Sequence, residues 1–488
     1  MRPKKFAIVL ALFFLGPLAS RADELAELIT LAFSNSPTLS AANEGARQAE
    51  AALDATGEFL DSRTLAAAGR MSGSAATPMI AAPAGLPGAD AYGVAAGVEV
   101  PIRPGLYAGA GVSEQYRVNP ADGSDSGYHT LVGAQLRIPL LQDRGFSLWR
   151  HTQSRVKELQ TAADAHLTET RQAVRHAVEQ TYFTYLTEVA NAATSQSATD
   201  RAQKLLKEAE ELVRLKVVPE YQLAPARLEL ALRREEFCAS LQAIDTARLR
   251  LIQMLGITPA TLLTTNSLAL TDRAANLTLP PIPAATHSFS SRGAIREIEA
   301  LAAAAAAETR SLDDQLRPEL GLSLRGVWAT DDSSALSSDG KSSAAAVLVW
   351  TRPWSQTGPR ARLRESQARE TQLAEVLREL QNRLTADLAA AQRDFSGAGE
   401  RLKEITVAVE QARRTLEAEA ERFQLGEGRS RNVLDAQNDL TKAYRSRNAV
   451  VAALLKGHSD FMYASGYQAD NNAPAAAPPA GGNPSGHQ

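Results

Sequence analysis

From Leu402 to Phe423, apolar side chains return at alternating intervals of three and four: Leu402, Ile405, Val409, Ala412, Leu416 and Phe423. Glu419 stands in the one place where the rhythm turns polar. Such a seam belongs to a helix packed along its length against another helix. The rhythm breaks at GEGRS, residues 426–430, and resumes through Val433, Ala436, Leu440, Ala443, Val450 and Leu454, with Arg447 filling one position. Ala202, Leu205, Ala209 and Leu212 keep the same spacing earlier in the chain. Two heptad helices joined by a short turn form an antiparallel hairpin, and the chain is expected to hold two of them. The stretch 360–425 alone would span roughly 100 Å at about 1.5 Å per residue. Gly397 and Gly399 inside it predict a kink or irregular zone midway. Aromatic residues are only 5% of the chain, which with its abundant alanine suits closely packed rods better than a compact enzyme core.

Two other regions carry the opposite rhythm. Val94, Ala96, Val98, Val100 and Ile102 are apolar at even positions, as are Leu106, Ala108, Ala110 and Val112, then Val132, Ala134, Leu136, Ile138 and Leu140. Leu320, Leu322 and Leu324, then Ala344, Ala346 and Leu348, repeat the pattern later. Most of the alternate positions are small or polar, among them Gly133, Gln135, Arg137, Gly321, Ser323 and Arg325. A half-buried antiparallel sheet has this period, and so does a lipid-facing barrel wall. Trp328 and Trp350 are candidates for an aromatic girdle or for ordinary sheet aromatics. No apolar run beyond the N-terminal segment is long enough for a spanning helix.

The order of segments is written twice: helix, strands, long helix, turn, helix. Pro139 answers Pro353, Gly256 answers Gly466, and the break after Lys216 answers Gly426, each at an offset of about 210 residues. The expected organisation is a signal peptide over 1–22, a first repeat over 23–256, a Pro-rich connector over 257–290, a second repeat over 291–466 and a disordered tail over 467–488. Arg2, Lys4 and Lys5 followed by FAIVLALFFLGPLA and the small-x-small site Ser20-Arg21-Ala22 support the first of these. Strands are expected over about 92–140 and 318–353.

Catalytic chemistry is poorly represented. The seven histidines form no HExxH and no zinc spacing, and His166 and His176 read as solvated helix residues. GEGRS lacks the Gly-Lys-Ser/Thr ending of a phosphate loop. Cys238, the single cysteine, reads as a small buried or half-buried apolar residue. Mixed charge without a basic stripe argues against nucleic acid. No enzyme activity, cofactor or metal is expected.

The ordered set of motifs resembles the TolC-like outer-membrane efflux proteins across about 23–466. LITLAFSNSPTLSAANEGARQAEAAL is similar to the family's opening helix. RPELGLSLRGVW matches its Pro-led strand entry, and WTRPWSQTGPRARLRESQA its strand exit into a long helix. RFQLGEGRSRNVLDAQNDLTKAY is similar to its hairpin tip, through Arg422, Phe423, Gly426, Ser430, Leu434, Asp435, Ala436 and Leu440. The first tip departs from the pattern: Val217 stands where glycine is common, and Pro219 and Pro225 are added. Asn432 stands where many members are acidic, the first strand entry FLDSRTLAAAG lacks the usual proline, and residues 92–104 suggest an extra or longer strand in the first half.

The resemblance implies a homotrimer in the outer membrane. Each chain would supply four strands to one twelve-stranded barrel and its long antiparallel coiled-coil hairpins to a periplasmic α-helical tunnel. It implies a passive exit duct for efflux or secretion, served by a periplasmic adaptor protein and an inner-membrane pump. The gate and docking tip would then comprise Phe423, Gly426, Gly428, Arg429, Ser430, Arg431, Asn432 and Asp435, with Lys216, Val217 and Pro219 from the first hairpin. Asp435, repeated three-fold, would narrow the entrance and favour cations; Arg429 or Arg431 would pair with acidic neighbours to hold it shut. The competing expectation is a periplasmic coiled-coil scaffold that never enters the membrane.

Overall fold

A computed structural model describes residues 23–71, 90–103, 106–118, 127–144, 146–216, 219–257, 289, 292–330, 340–425 and 427–466. The signal segment, nearly all of the connector, the tail, Val217 and Gly426 lie outside the described residues. The elements run α1 (Asp23–Asn35), α2 (Pro37–Ala55), β1 (Arg63–Met71), β2 (Asp90–Arg103), β3 (Leu106–Val118), β4 (Gly127–Pro139), α3 (Ser147–Arg214) and α4 (Leu223–Leu255). They continue with α5 (Gly293–Gln315), β5 (Glu319–Thr330), β6 (Lys341–Thr351), α6 (Thr357–Gln424) and α7 (Ser430–Ser465). The chain divides into two units, one of residues 1–41, 168–292 and 381–488, the other of residues 42–167 and 293–380.

The first unit is helical. Its main core gathers Leu28 and Ala32 of α1, Val178, Tyr182 and Leu186 of α3, Leu251 and Leu255 of α4, and Val451 and Leu455 of α7. The heptad positions of α7 are its inner face: Val433, Ala436, Leu440, Val450 and Leu454 are all buried. Small residues let rods approach closely, and Gly457 of α7 lies against the backbone of Phe395 in α6, where a Cβ would sit 3.3 Å from the Phe395 nitrogen. Gly256 and Gly466, matched in sequence, close α4 and α7 in the same left-handed conformation, with φ of 64° and 67°. Beside Gly466 the second repeat begins with a buried cation. Arg292 is 3% exposed, donates to Glu169 at 2.9 Å, donates to the Tyr463 carbonyl and lies over the Tyr463 ring.

The second unit is built on one antiparallel sheet, strand order β1-β2-β3-β4-β5-β6 among the described residues. Four strands were expected, and six are present. Two belong to the second repeat and four to the first. The surplus lies in the first half, where residues 92–104 suggest an extra or longer strand; β1 follows the strand entry FLDSRTLAAAG, which lacks the usual proline and carries little alternation. The turn leading from β4 into α3 is fixed by Asp143, whose carboxylate accepts the Leu148 N–H at 2.8 Å. Asp314, 5% exposed, accepts from the Ser147 hydroxyl at 2.6 Å and from the Asp143 N–H at 3.1 Å. Asp143 thus takes a free N–H of the helix start, and the buried Asp314 holds the turn that presents it.

Four further expectations need correction. α6 stays helical through Gly397 and Gly399 with no irregular zone, since long flanks of good helix formers outweigh about 1 kcal/mol per glycine. The opening helix is two helices, broken at Ser36-Pro37, where proline takes the first helical position and the Ser36 hydroxyl accepts the Leu39 N–H. Cys238 is exposed on α4 rather than buried. His176 is not solvated: it bonds Asp460 at 2.7 Å and stacks on Tyr463 at 4.6 Å.

Candidate functional site

Two places on the chain hold the features expected to act, and each is local to one unit. The first is the outer face of the sheet. Apart from a bulge at the end of the β2–β3 ladder, where Arg103 pairs with Leu106, even-numbered residues pair with even-numbered residues, so one face persists across all strands. One row runs Ala66, Ala96, Val112, Val132, Trp328, Ser342; the next runs Thr64, Val98, Ala110, Ala134, Gly326, Ala344. Through β2–β5 this apolar face is the more exposed one, with Val94 at 57% and Val98 at 45%; Thr130 and Thr330 at its end are buried, and β6 is exposed on both faces, Leu348 at 62% and Val347 and Val349 at 48%. The other face is small or polar for most of its length. Its centre is tightly packed, with Ser113, Leu131 and Val327 buried. Water-soluble sheets bury their apolar face and expose the other. Here the assignment is inverted.

Trp328 and Trp350 both lie on the apolar face, toward opposite ends. Trp350 pairs with Leu320, eight residues before Trp328 on β5, a separation of roughly 26 Å at about 3.3 Å per residue. A lipid-facing band is about 25 Å tall between its aromatic girdles. Gly340 makes room for the Trp328 indole, which would stand 2.1 Å from a Cβ there. Three aromatics escaped the sequence reading. Tyr116 and Tyr128, paired in register and 4.9 Å apart between ring centres, extend the Trp328 end. Trp354, fully exposed, follows Trp350 just past β6. Parity would have found the tyrosines, since both fall on even positions.

The second place is the helical tip. Phe423, 1% exposed, sits among Leu205 and Ala209 of α3, Leu223 of α4, and Val433 and Leu434 of α7. Both hairpins therefore end in one apolar cluster. Phe423 is its centre and not a surface contact. Gly428 accepts close backbone packing: a Cβ would lie 2.9 Å from the Phe423 nitrogen. The Glu427 and Gly428 N–H groups both donate to the Arg422 carbonyl at 3.0 Å, which closes α6. Ser430 is buried, while Arg429, Arg431, Asn432 and Asp435 are exposed. Arg431 and Asp435 stand 4.0 Å apart, one turn from each other on α7. In the first hairpin Lys216 takes the left-handed conformation that glycine takes elsewhere, φ 60°, and its N–H donates to the Val213 carbonyl at 2.9 Å. Pro219 is extended ahead of a short 3-10 turn, Glu220–Gln222. Among the described residues the tip exposes apolar side chains at Leu215, Tyr221 and Leu425, none of which belongs to the matched tip motif.

Behind the tip, polar side chains tie α7 to its neighbours. Arg445 donates to Glu236 of α4 and to the Ser195 hydroxyl of α3, the latter at 3.0 Å. Arg233 adds a bond to Glu236 at 2.5 Å. Asn448 donates to Asn191 at 3.2 Å, and Arg201 to the Thr441 hydroxyl at 3.2 Å. Burial raises the Glu236 carboxyl, but the two guanidinium groups outweigh it and hold the group below the usual glutamate value. Among the described residues no group of His, Cys, Asp or Glu is arranged for a metal, and no helix is long and apolar enough to cross a membrane.

No protein-family model and no curated protein matches the chain. Solved structures do. The outer-membrane channel OprN superposes with a TM-score of 0.66 at 19% identity, covering 91% of this chain and 90% of its own. CusC, whose structures describe conformational changes accompanying folding and transmembrane channel formation, gives 0.67 at 16% identity over 91% and 92%. The outer membrane protein VceC from Vibrio cholerae gives 0.65 at 16% identity over 91% and 96%. The chain has the fold of these outer-membrane channels over nearly its whole length.

Proposed function

We propose that this chain is one protomer of an outer-membrane exit duct of the TolC-like kind, a passive channel without cofactor. Copies of its sheet complete a barrel in lipid, and its helical hairpins form the periplasmic conduit. The single observation that carries this reading is the inverted sheet. A mainly apolar face is exposed across six strands, with a polar Glu114–Thr130–Thr330 row near one end and aromatics near both ends, on a chain whose fold is that of outer-membrane channels. In hydrocarbon an unpaired strand edge leaves backbone groups without partners, so a lone sheet must be closed by other copies. Three copies are what the resemblance implies.

The tip around Phe423 is the periplasmic entrance in this reading. It docks a periplasmic adaptor, through which an inner-membrane pump delivers cargo, and the exposed Leu215, Tyr221 and Leu425 offer apolar contacts to it. Opening moves the tip helices while the bonds from Arg445 to Glu236 and Ser195 hold α7 farther back. Asp435, three-fold repeated, sets the charge of the entrance.

Recording from purified protein in planar bilayers tests the proposal. Discrete channels are expected, enlarged when Arg431 and Asp435 are replaced by alanine. Absence of conductance in the wild type and in every tip variant would overturn it. So would recovery of the chain as a soluble periplasmic protein on cell fractionation, the result a coiled-coil scaffold would give.

A further inference from the structure

We propose that each copy contributes six strands to the barrel wall, so that three copies close an eighteen-stranded barrel, wider than the twelve-stranded one expected from the sequence. This rests on the exit-duct reading and on its three copies. The hairpin β2–β3 is the part that adds width.

The hairpin belongs to the wall and is not folded over it. β2 and β3 pair from Asp90↔Val118 to Arg103↔Leu106, and β3 pairs with β4 from Tyr107↔Arg137 to Arg117↔Gly127. Up to the bulge between Pro101 and Arg103, both ladders keep the parity of the remaining strands. The apolar face of these strands is exposed like that of the others, with Val100 at 42% and Val112 at 43%; Glu114, on the same face, stands beyond Val112 toward the Tyr116 end. Their opposite face is rich in glycine and polar residues, Gly97, Glu99, Gly109, Gly111 and Gln115, as the water-filled side of a barrel requires.

The edges suit one another. Successive strands are antiparallel, and β1 and β6 end the sheet. An even number of alternating strands leaves those two edges running in opposite directions. Rotation about one axis then brings β6 of one copy beside β1 of the next as another antiparallel pair, and the ring closes without an unpaired edge. An odd number would force a parallel seam. Barrel diameter grows roughly linearly with strand number, so eighteen strands give about 1.5 times the width of twelve. Barrels of 16–18 strands leave an open aqueous channel. The outer end of this duct would thus admit bulkier hydrated solutes than a twelve-stranded wall.

Disulfide mapping in outer-membrane preparations of the full chain, with Cys238→Ser as background, tests the wall. One set joins β6 to β1 between copies, scanning Ser342→Cys, Ala344→Cys and Ala346→Cys against Thr64→Cys, Ala66→Cys and Ala68→Cys. Within one copy these strands are five spacings apart, about 24 Å, too far to bridge. Oxidation is expected to give a ladder ending at three linked chains. A second set joins β6 to β3, with Ala110→Cys, and β1 to β4, pairing Thr64→Cys with Ala134→Cys; neither is expected to link. A β6–β3 bridge would mean that β1 and β2 lie outside the wall. A β1–β4 bridge within one chain would mean that β2–β3 does. Either result, a ladder ending elsewhere than three, or no bridge in a protein that conducts, overturns the eighteen-stranded wall while leaving the duct standing. No bridge in a protein that does not conduct removes the duct as well.

Discussion

Phe423 and Gly428 give the tip its form through opposite demands. The ring fills the space where α3, α4, α6 and α7 meet, and the glycine leaves space for the backbone beside that ring. Truncating a buried phenylalanine costs about 3–5 kcal/mol because the cavity relaxes only in part. Phe423→Ala is expected to loosen the tip while the sheet persists. Amide exchange across 430–440 should accelerate strongly, and Phe423→Leu should restore most of the protection. Unchanged exchange in Phe423→Ala would show that the cluster does not hold the tip. The motif made Phe423 legible as a tip residue, but not its burial, because depth depends on four helix ends distant in sequence. His176 and Cys238 were misread for the same reason. A histidine facing Asp460 and a cysteine facing solvent have similar local sequence surroundings.

At the level of elements, α6 tolerates Gly397 and Gly399 in a helix of 68 residues. A Cβ at either meets no atom within 4 Å in the protomer. Gly397→Ala and Gly399→Ala should each raise stability by about 0.5–1 kcal/mol, seen as a higher midpoint for thermal loss of helical circular dichroism. A lower midpoint would mean that these glycines serve contacts outside the protomer. α7 is tied to α4 through Arg445, Arg233 and Glu236. Arginine bonding holds the Glu236 carboxyl below its ordinary 4.5 in the folded chain, so the unfolded chain takes up the proton first as pH falls. The stability from this group is full above the ordinary value and is lost as pH drops through the lower, folded one. Acid titration of helical signal should show part of its loss in that window, and Glu236→Gln should remove that part. An identical acid profile in the variant would count against the tie. Helix positions were readable because a heptad is a local period. The bounds and pairing of β1 were not, since its alanines and glycine acquire strand geometry only by pairing with β2.

For the molecule as a whole, the assignment of faces decides whether the sheet belongs in lipid. Leu324 lies at mid-strand on the exposed apolar face, and Ser323 beside it lies on the other. A cation facing the bilayer midplane costs about 2–4 kcal/mol, one facing the lumen far less. Leu324→Arg should lower the fraction of chain in membrane-assembled oligomer more than ten-fold, whereas Ser323→Arg should leave most of it assembled. Quantifying both species in membrane fractions after mild detergent extraction checks this. Equal effects would mean that the faces are not lipid and lumen. Strand number, unlike strand character, could not be counted along the chain, because it depends on which weakly patterned segments find partners.

Two periods written along this chain, three-and-four and two, were sufficient to establish rods and a sheet with one apolar face, because each constrains neighbours only a few residues apart; which face is exposed was decided by the structure. Glycine and proline landmarks repeated at near-constant offset were enough to show the order of elements twice over. What waited for the tertiary structure was everything that joins distant segments. It decided how many strands share the sheet, that both tips close over one phenylalanine, that an arginine at residue 445 reaches a glutamate at 236, and which cysteine and histidine environments are wet. Those outcomes depend on contacts between residues hundreds of positions apart, and no local spacing encodes them.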